Sequence, residues 1–303
     1  MIGEFKNPQA AERYFEAYDR AMALCPPPDE VCDVETRHGT TRVYRFGQGD
    51  APPLVLLPGM MATSAGYWQL LPRLPGTVYA VDTLGEAGRS VQTAPLVDHA
   101  DRARCLDDVL GQLALTGVHL IGASTGGWHA VNQAIHAPKR VGSITLLEPT
   151  TVTAKFSGAV IRHGLVAVLG EWGLRRFLRY AIGEDLLDRP DVRLVHAALR
   201  TYRPRVPFQK CPPEDEIRAI DVPVRALFGA RSVVHDAVAA ADRLRELLPG
   251  SEVDVLPDAG HNLFAKLDQV VAWVNREGSQ GEGKEKRTLR RFRSQPERGR
   301  NNA

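Results

Sequence analysis

Apolar runs of four or five residues, rich in Val, Leu and Ile, recur along the chain and alternate with stretches whose apolar positions fall three or four apart. Strand-period and helix-period segments in alternation are the pattern of a mostly parallel sheet covered by helices on both faces. Buried strands are predicted at Leu54 to Leu57, Val78 to Val81, Val118 to Ile121, Ser143 to Leu147, Val224 to Phe228 and Val253 to Leu256. Upstream, Val31 to Arg37 and Thr41 to Phe46 alternate apolar with polar across His38-Gly39 and read as an opening hairpin. Between Ala100 and Leu115, the residues Leu106, Val109, Leu110 and Leu113 form one helical stripe. Asp101, Arg102, Arg104, Asp107 and Asp108 are expected on the solvated face of that helix.

The alternation breaks once. From Thr150 to about Asp221 no buried strand is evident, yet stretches such as "FSGAVIRHGLVAVLGEWGLRRFLRYAIG" have helical period. A structureless loop of that length is improbable in a compact domain, so a helical insertion is expected, placed to act as a lid. The resulting division is an N-terminal helical segment (1–30), an α/β core (31–149 and 222–277), the lid (150–221) and a tail (278–303).

Composition narrows the class. At 303 residues, 44% hydrophobic and 24% charged, the chain can bury a large core, and collagen-like, coiled-coil and wholly disordered readings are excluded. The formal charge of +2 conceals a basic tail, in which eight Lys/Arg stand against three Glu after residue 277. That leaves a slightly acidic body, which is not the charge pattern of a nucleic-acid binder. The tail is too poor in apolar residues to fold alone. Cys25, Cys32, Cys105 and Cys211 show neither C-x-x-C spacing nor clustering with His, so no metal site or disulfide framework is signalled. With no apolar stretch of membrane-spanning length and a charged amphipathic N-terminus, a cytoplasmic protein with no membrane partner is expected.

The chemistry concentrates at "LIGASTGGWHA" (120–130). Gly122-Ala123-Ser124-Thr125-Gly126 fits G-x-S-x-G between a strand and a helix, the context in which this motif makes a sharp turn that exposes the serine. A serine hydroxyl needs a base. Of nine histidines, His261 in "LPDAGHNLF" follows the last predicted strand and lies on the same strand-end side, whereas His119, His129, His136, His99, His163, His196 and His235 read as surface or packing residues. An oxyanion needs aimed donors, and the N–H groups of Thr125 and of Met60, after the turn at Gly59, are the candidates.

"VLLPGM", "YAVDTLGEAGRS", "IGASTGG" and "DAGHNL", in that order, resemble the α/β-hydrolase superfamily over roughly residues 30 to 275. The N-terminal "YFEAYDRAMALCP" and "VETRHGTTRVYRFGQGDAPPLVLLPG" are similar to bacterial carboxylesterases of the naproxen-esterase type. The resemblance implies a serine esterase without metal or organic cofactor; apolar residues in the lid and in the loop around Met60 lead to the expectation of small to medium hydrophobic esters as substrates, and a monomer or homodimer is expected. Met61, Trp68 and Trp172 are expected in an apolar substrate pocket. Two positions depart from the family. Pro58 replaces the usual histidine of the oxyanion loop, and proline has no N–H. Ser232 stands where an acid normally orients the base, leaving Glu148, 24 residues after Ser124, or Asp236 as the third group, or a dyad with none. Some superfamily members place the acid after the strand that Glu148 ends, and Asp82 matches an aspartate that shapes a loop. These departures keep two other readings open: a thioesterase or C–C bond hydrolase of secondary metabolism, and a non-catalytic ligand-binding protein on a hydrolase scaffold.

Overall fold

Strand residues alternate in direction, and in this chain both directions are apolar, which requires cover on both faces of the sheet. The computed structural model, which describes residues 1–183 and 186–276, has this arrangement. The strands are β1 (Glu4–Phe5), β2 (Glu30–Thr36), β3 (Gly39–Phe46), β4 (Leu54–Leu57), β5 (Val78–Val81), β6 (Val91–Gln92), β7 (Val118–Ala123), β8 (Val141–Leu147), β9 (Tyr202–Arg203), β10 (Val224–Gly229) and β11 (Glu252–Leu256). The helices are α1 (Pro8–Met22), α2 (His99–Gln112), α3 (Thr125–His136), α4 (Gly158–Ala167), α5 (Glu171–Ile182), α6 (Pro190–Thr201), α7 (Glu214–Arg218), α8 (Ala237–Leu247) and α9 (Leu267–Val274).

The main sheet runs β11-β10-β8-β7-β4-β5-β3-β2, with β6 also pairing with β3. All pairs from β11 to β5 are parallel, while β3 is antiparallel to β5 and to β2. Val55, Leu57, Leu120, Leu146, Ala226 and Phe228 face a core completed by α2, α3 and α8. Their neighbours Leu56, Ile121, Leu147 and Leu227 face a second core with Tyr14, Tyr18 and Trp273 from α1 and α9. Predicted and observed strands agree to within two residues at each end.

Two features were not legible in the pattern. The N-terminal segment is not a separate appendage: β1 pairs antiparallel with β9 inside the insertion, and the Phe5 ring packs 5.0 Å from both Tyr14 and Tyr202. Asp101 and Arg102 do not lie on a solvated face, since both are buried. Asp101 accepts from the N–H of Val97, and Arg102 faces Glu86 and the Trp128 ring. Between β8 and β10 the described residues form the helices α4 to α7 and the short strand β9. The four cysteines are unpaired, and among the described residues no helix is long and apolar enough to cross a membrane. The basic tail lies outside the described residues.

Candidate active site

Ser124 sits between β7 and α3 with φ 54° and ψ −119°, a conformation imposed by the sharpness of the turn. The small neighbours are obligatory. A Cβ on Gly122 would lie 2.1 Å from the carbonyl oxygen of Gly126, and one on Gly126 would lie 1.8 Å from that of Leu57. The turn is pinned from both neighbouring strands. The Ser124 N–H donates to the Leu147 carbonyl at 2.9 Å, and the Tyr67 hydroxyl donates to the Leu57 carbonyl at 2.6 Å while accepting from the Ala123 N–H at 2.9 Å.

His261, in the loop after β11, brings Nε2 to 3.0 Å from Ser124 Oγ. Behind it, His261 Nδ1 lies 3.6 Å from Glu148 Oε1, within ion-pair range but longer than a closed hydrogen bond. Glu148 directly follows β8, is almost wholly buried, and holds the left-handed φ of 48° that turns its side chain back over the strand ends. Its other oxygen, Oε2, accepts from the Gly229 N–H at 2.7 Å. Burial by itself would raise the carboxyl's pKa, but the imidazoles of His235 and His261 outweigh it and hold the group at about 2. The structure thus brings Ser124, His261 and Glu148 together. Asp236 is not part of the group, because it caps α8, where its Oδ1 accepts from the Ala239 N–H at 3.0 Å.

Sequence reasoning missed His235 as a site residue. This imidazole is buried after β10, with Nε2 3.2 Å from the same Glu148 Oε1 and its ring packed edge-on against Phe228. Two imidazoles therefore share one carboxylate oxygen. A signal was available, since His235 lies three residues after Ser232, in the very loop that carries the acid in other members of the superfamily. Ser232 itself serves the turn, its N–H donating to the Gly229 carbonyl at 2.9 Å.

Gly59 approaches Ser124 closely: a Cβ there would stand 3.4 Å from Ser124 Cβ and 3.9 Å from Oγ. Met60 follows it, half exposed at the mouth of the site, and Thr125 opens α3. Both residues line a cavity of about 260 Å³ that also contains Ser124 and His261. The rest of its wall is apolar and comes largely from the insertion, including Val160, Phe177, Leu178, Ile182, Val195 and Leu199.

The three residues expected in the pocket are placed elsewhere. Met61 turns into the core behind the loop. Trp68 lies under the Arg189 guanidinium at 5.4 Å. Trp172 is 65% exposed on the outer face of α5, with Arg176 over its ring. In each case apolarity in the right segment was read correctly, but not the face it occupies. Asp82 is fully buried and accepts from Tyr18, from Ser64 and from the Arg89 N–H, holding the loops after β4 and β5 together.

This strand order, with a serine turn after β7 and a histidine after β11, defines an α/β hydrolase. The model of the Alpha/beta hydrolase family matches residues 54–273, and the chain belongs to that family. Within it the chain stands with bacterial carboxylesterases. It is 30% identical over 278 residues to carboxylesterase YbfK of Bacillus subtilis (strain 168), covering 88% of this chain and 94% of the relative. The crystal structure of naproxen esterase (carboxylesterase NP) from Bacillus subtilis superposes with a TM-score of 0.81 at 26% identity, covering 95% of this chain and 99% of that one. That of carboxylesterase CesB (YbfK) gives 0.79 at 28% identity, covering 88% and 99%.

Proposed function

We propose that the chain is a serine carboxylesterase that cleaves small to medium hydrophobic esters through an acyl-enzyme on Ser124. The observation that carries this reading is the 3.0 Å contact between His261 Nε2 and Ser124 Oγ, with a buried, ionised carboxylate behind the imidazole. His261 takes the hydroxyl proton as Ser124 Oγ attacks the ester carbonyl. The negative charge that develops on the carbonyl oxygen is met by the N–H groups of Met60 and Thr125, the latter at the favourable N-terminus of α3. Glu148 stabilises the imidazolium. His261 then gives its proton to the leaving alcohol, and activated by the same base, water releases the acid.

The helices α4 to α6 act as a lid whose inner side sets chain length and branching, since they supply most of the apolar wall. A formed Ser124–His261 contact favours catalysis over a ligand-binding scaffold. The four unpaired thiols favour a cytoplasmic setting, and sedimentation would decide between monomer and homodimer. The decisive test is labelling with a fluorophosphonate probe, read by mass spectrometry, alongside turnover of p-nitrophenyl acetate and butyrate. Labelling confined to Ser124, absent in Ser124→Ala, is expected. A folded wild-type protein that is neither labelled nor active overturns the reading.

A further inference from the structure

The loop that brings Met60 to the serine has an unusual turn. The Ala62 N–H donates to the Gly59 carbonyl at 3.0 Å, which closes a four-residue turn with Met60 and Met61 at its centre. Met61 has φ 57°, whereas Met60 is not in the positive-φ region. That combination is a type II turn, whose third position favours Gly or Asn because a side chain there is strained. A type I turn would suit methionine better and differs chiefly by a flip of the Met60–Met61 peptide.

One group selects the flipped state. The Met61 N–H donates at 2.5 Å to Oε2 of Glu86, a buried carboxylate from "GEAGRS" after β5. In a type I turn that N–H would point away and the Met60 carbonyl would face the carboxylate. Glu86 is held in turn by Arg102 on α2, with Nη2 3.7 Å from Oε1 and both side chains buried. The Arg102 guanidinium stacks at 5.6 Å on Trp128, in the first turns of the helix that Thr125 opens. A continuous path of contacts, Met61 to Glu86 to Arg102 to Trp128, therefore joins the two segments that carry the proposed oxyanion donors. This is the part of the site where Pro58 removes the side chain that other family members supply.

We infer that Glu86 is a positioning residue for the oxyanion loop: by accepting from the Met61 N–H it holds the Gly59–Ala62 turn in its strained form, and with it the place beside Ser124 of Met60, whose own N–H is the proposed donor. The inference rests on the serine-hydrolase reading, which Ser124 labelling tests separately. Glu86 touches no substrate, so its effect is on the transition state rather than on binding. Burial pushes its carboxyl up, opposed in part by Arg102 and the Met61 N–H.

The test uses two variants in the full chain. Glu86→Asp keeps the charge beside Arg102 but withdraws the acceptor from Met61. Glu86→Leu/Arg102→Met removes both buried charges together, a replacement that buried pairs often tolerate. In each folded variant, kcat for p-nitrophenyl butyrate is expected to fall about 10- to 100-fold, short of the loss of a whole oxyanion donor, with KM within about twofold. Affinity for a trifluoromethyl ketone, which forms the oxyanion, is expected to fall by a matching factor. Adding Met61→Gly, which relieves the strain at positive φ, is expected to restore most of both. Should the double variant fail to fold, Glu86→Asp and its Met61→Gly rescue carry the test alone. Unchanged kcat and ketone affinity in a folded variant overturn the inference, as does a loss that Met61→Gly leaves untouched. Loss of Ser124 labelling in the wild type would instead remove the reading beneath it.

Discussion

At the scale of single residues, the site is organised around one carboxylate oxygen. Glu148 Oε1 is approached by His261 at 3.6 Å and by His235 at 3.2 Å, so the proposed acid is anchored by an imidazole that never reaches the serine. Glu148→Gln is expected to lower kcat by about 100-fold or more, within the range of triad-acid losses, and to leave KM close to wild type. Asp236→Asn, which changes only a helix cap, is expected to leave kcat unaltered; the reverse ordering in steady-state kinetics would sink the assignment. For His235→Asn the expected loss is smaller, about five- to tenfold, the scale of one hydrogen bond of about 1 kcal/mol. Titrating Glu148 by NMR in that variant should show its pKa rising from about 2, because one of the two imidazoles that offset burial is gone. Of these residues, Ser124 and His261 were legible because a glycine-bounded turn and a strand-end loop fix them locally. Glu148 was legible as the first candidate acid beside Asp236, while His235 was passed over although it lies in the loop that Ser232 marks, because which strand ends lie side by side is a property of the sheet order. Nothing in the local pattern of residues 141–148 or 224–235 reveals that β8 and β10 are neighbours.

At the scale of elements, long buried strands announce themselves and short pairings do not. β4 was read to the residue because four consecutive apolar positions leave one interpretation, whereas β1 and β9 have two residues each and no period to detect. Yet the pairing of β1 with β9 determines how the insertion is held, since it ties the N-terminus to the end of α6, and α1 packs along α6. Arg102 and Asp101 were misread for a related reason. Helical period gives the apolar stripe, but a buried ion pair interrupts that stripe with charge. The aromatic cluster of Phe5, Tyr14, Phe15 and Tyr202 is the physical join between these elements. Tyr14 is fully buried within it, so Tyr14→Ala is expected to cost about 3 to 5 kcal/mol in denaturant unfolding, as for other large aromatic deletions. The insertion should become protease-sensitive at α6 before the sheet does. A loss under about 1 kcal/mol would mean that the strap is not coupled to the core.

At the scale of the whole molecule, two histidines make the fold sensitive to acid before most carboxylates titrate. His119 is partly buried on β7, with Nδ1 2.6 Å from Ser143 Oγ and Nε2 3.0 Å from Thr145 Oγ1. Burial, with a smaller push from Arg225, depresses it from 6.5 to about 4. His129, buried on α3 beside Arg102, is likewise held well below the ordinary value by burial first and that guanidinium second. Both are neutral when folded, while an unfolded chain protonates them below about 6.5. A depressed folded pKa therefore gives stability that is complete above 6.5 and drains away as pH falls toward 4, worth about 3 kcal/mol for His119 across that window. Glu148 works in a lower window: its contribution is lost only as pH falls from 4.5 toward about 2. Thermal unfolding followed by circular dichroism should show Tm declining from pH 6.5 downward in the wild type. In His119→Gln, which keeps polar contacts to Ser143 and Thr145 within reach but cannot titrate, the slope between pH 6.5 and 4 should flatten while the loss below pH 4 remains. Equal slopes in both proteins would mean that His119 gains its proton without opening the sheet, and would shift the acid sensitivity to His129 and its neighbour Arg102.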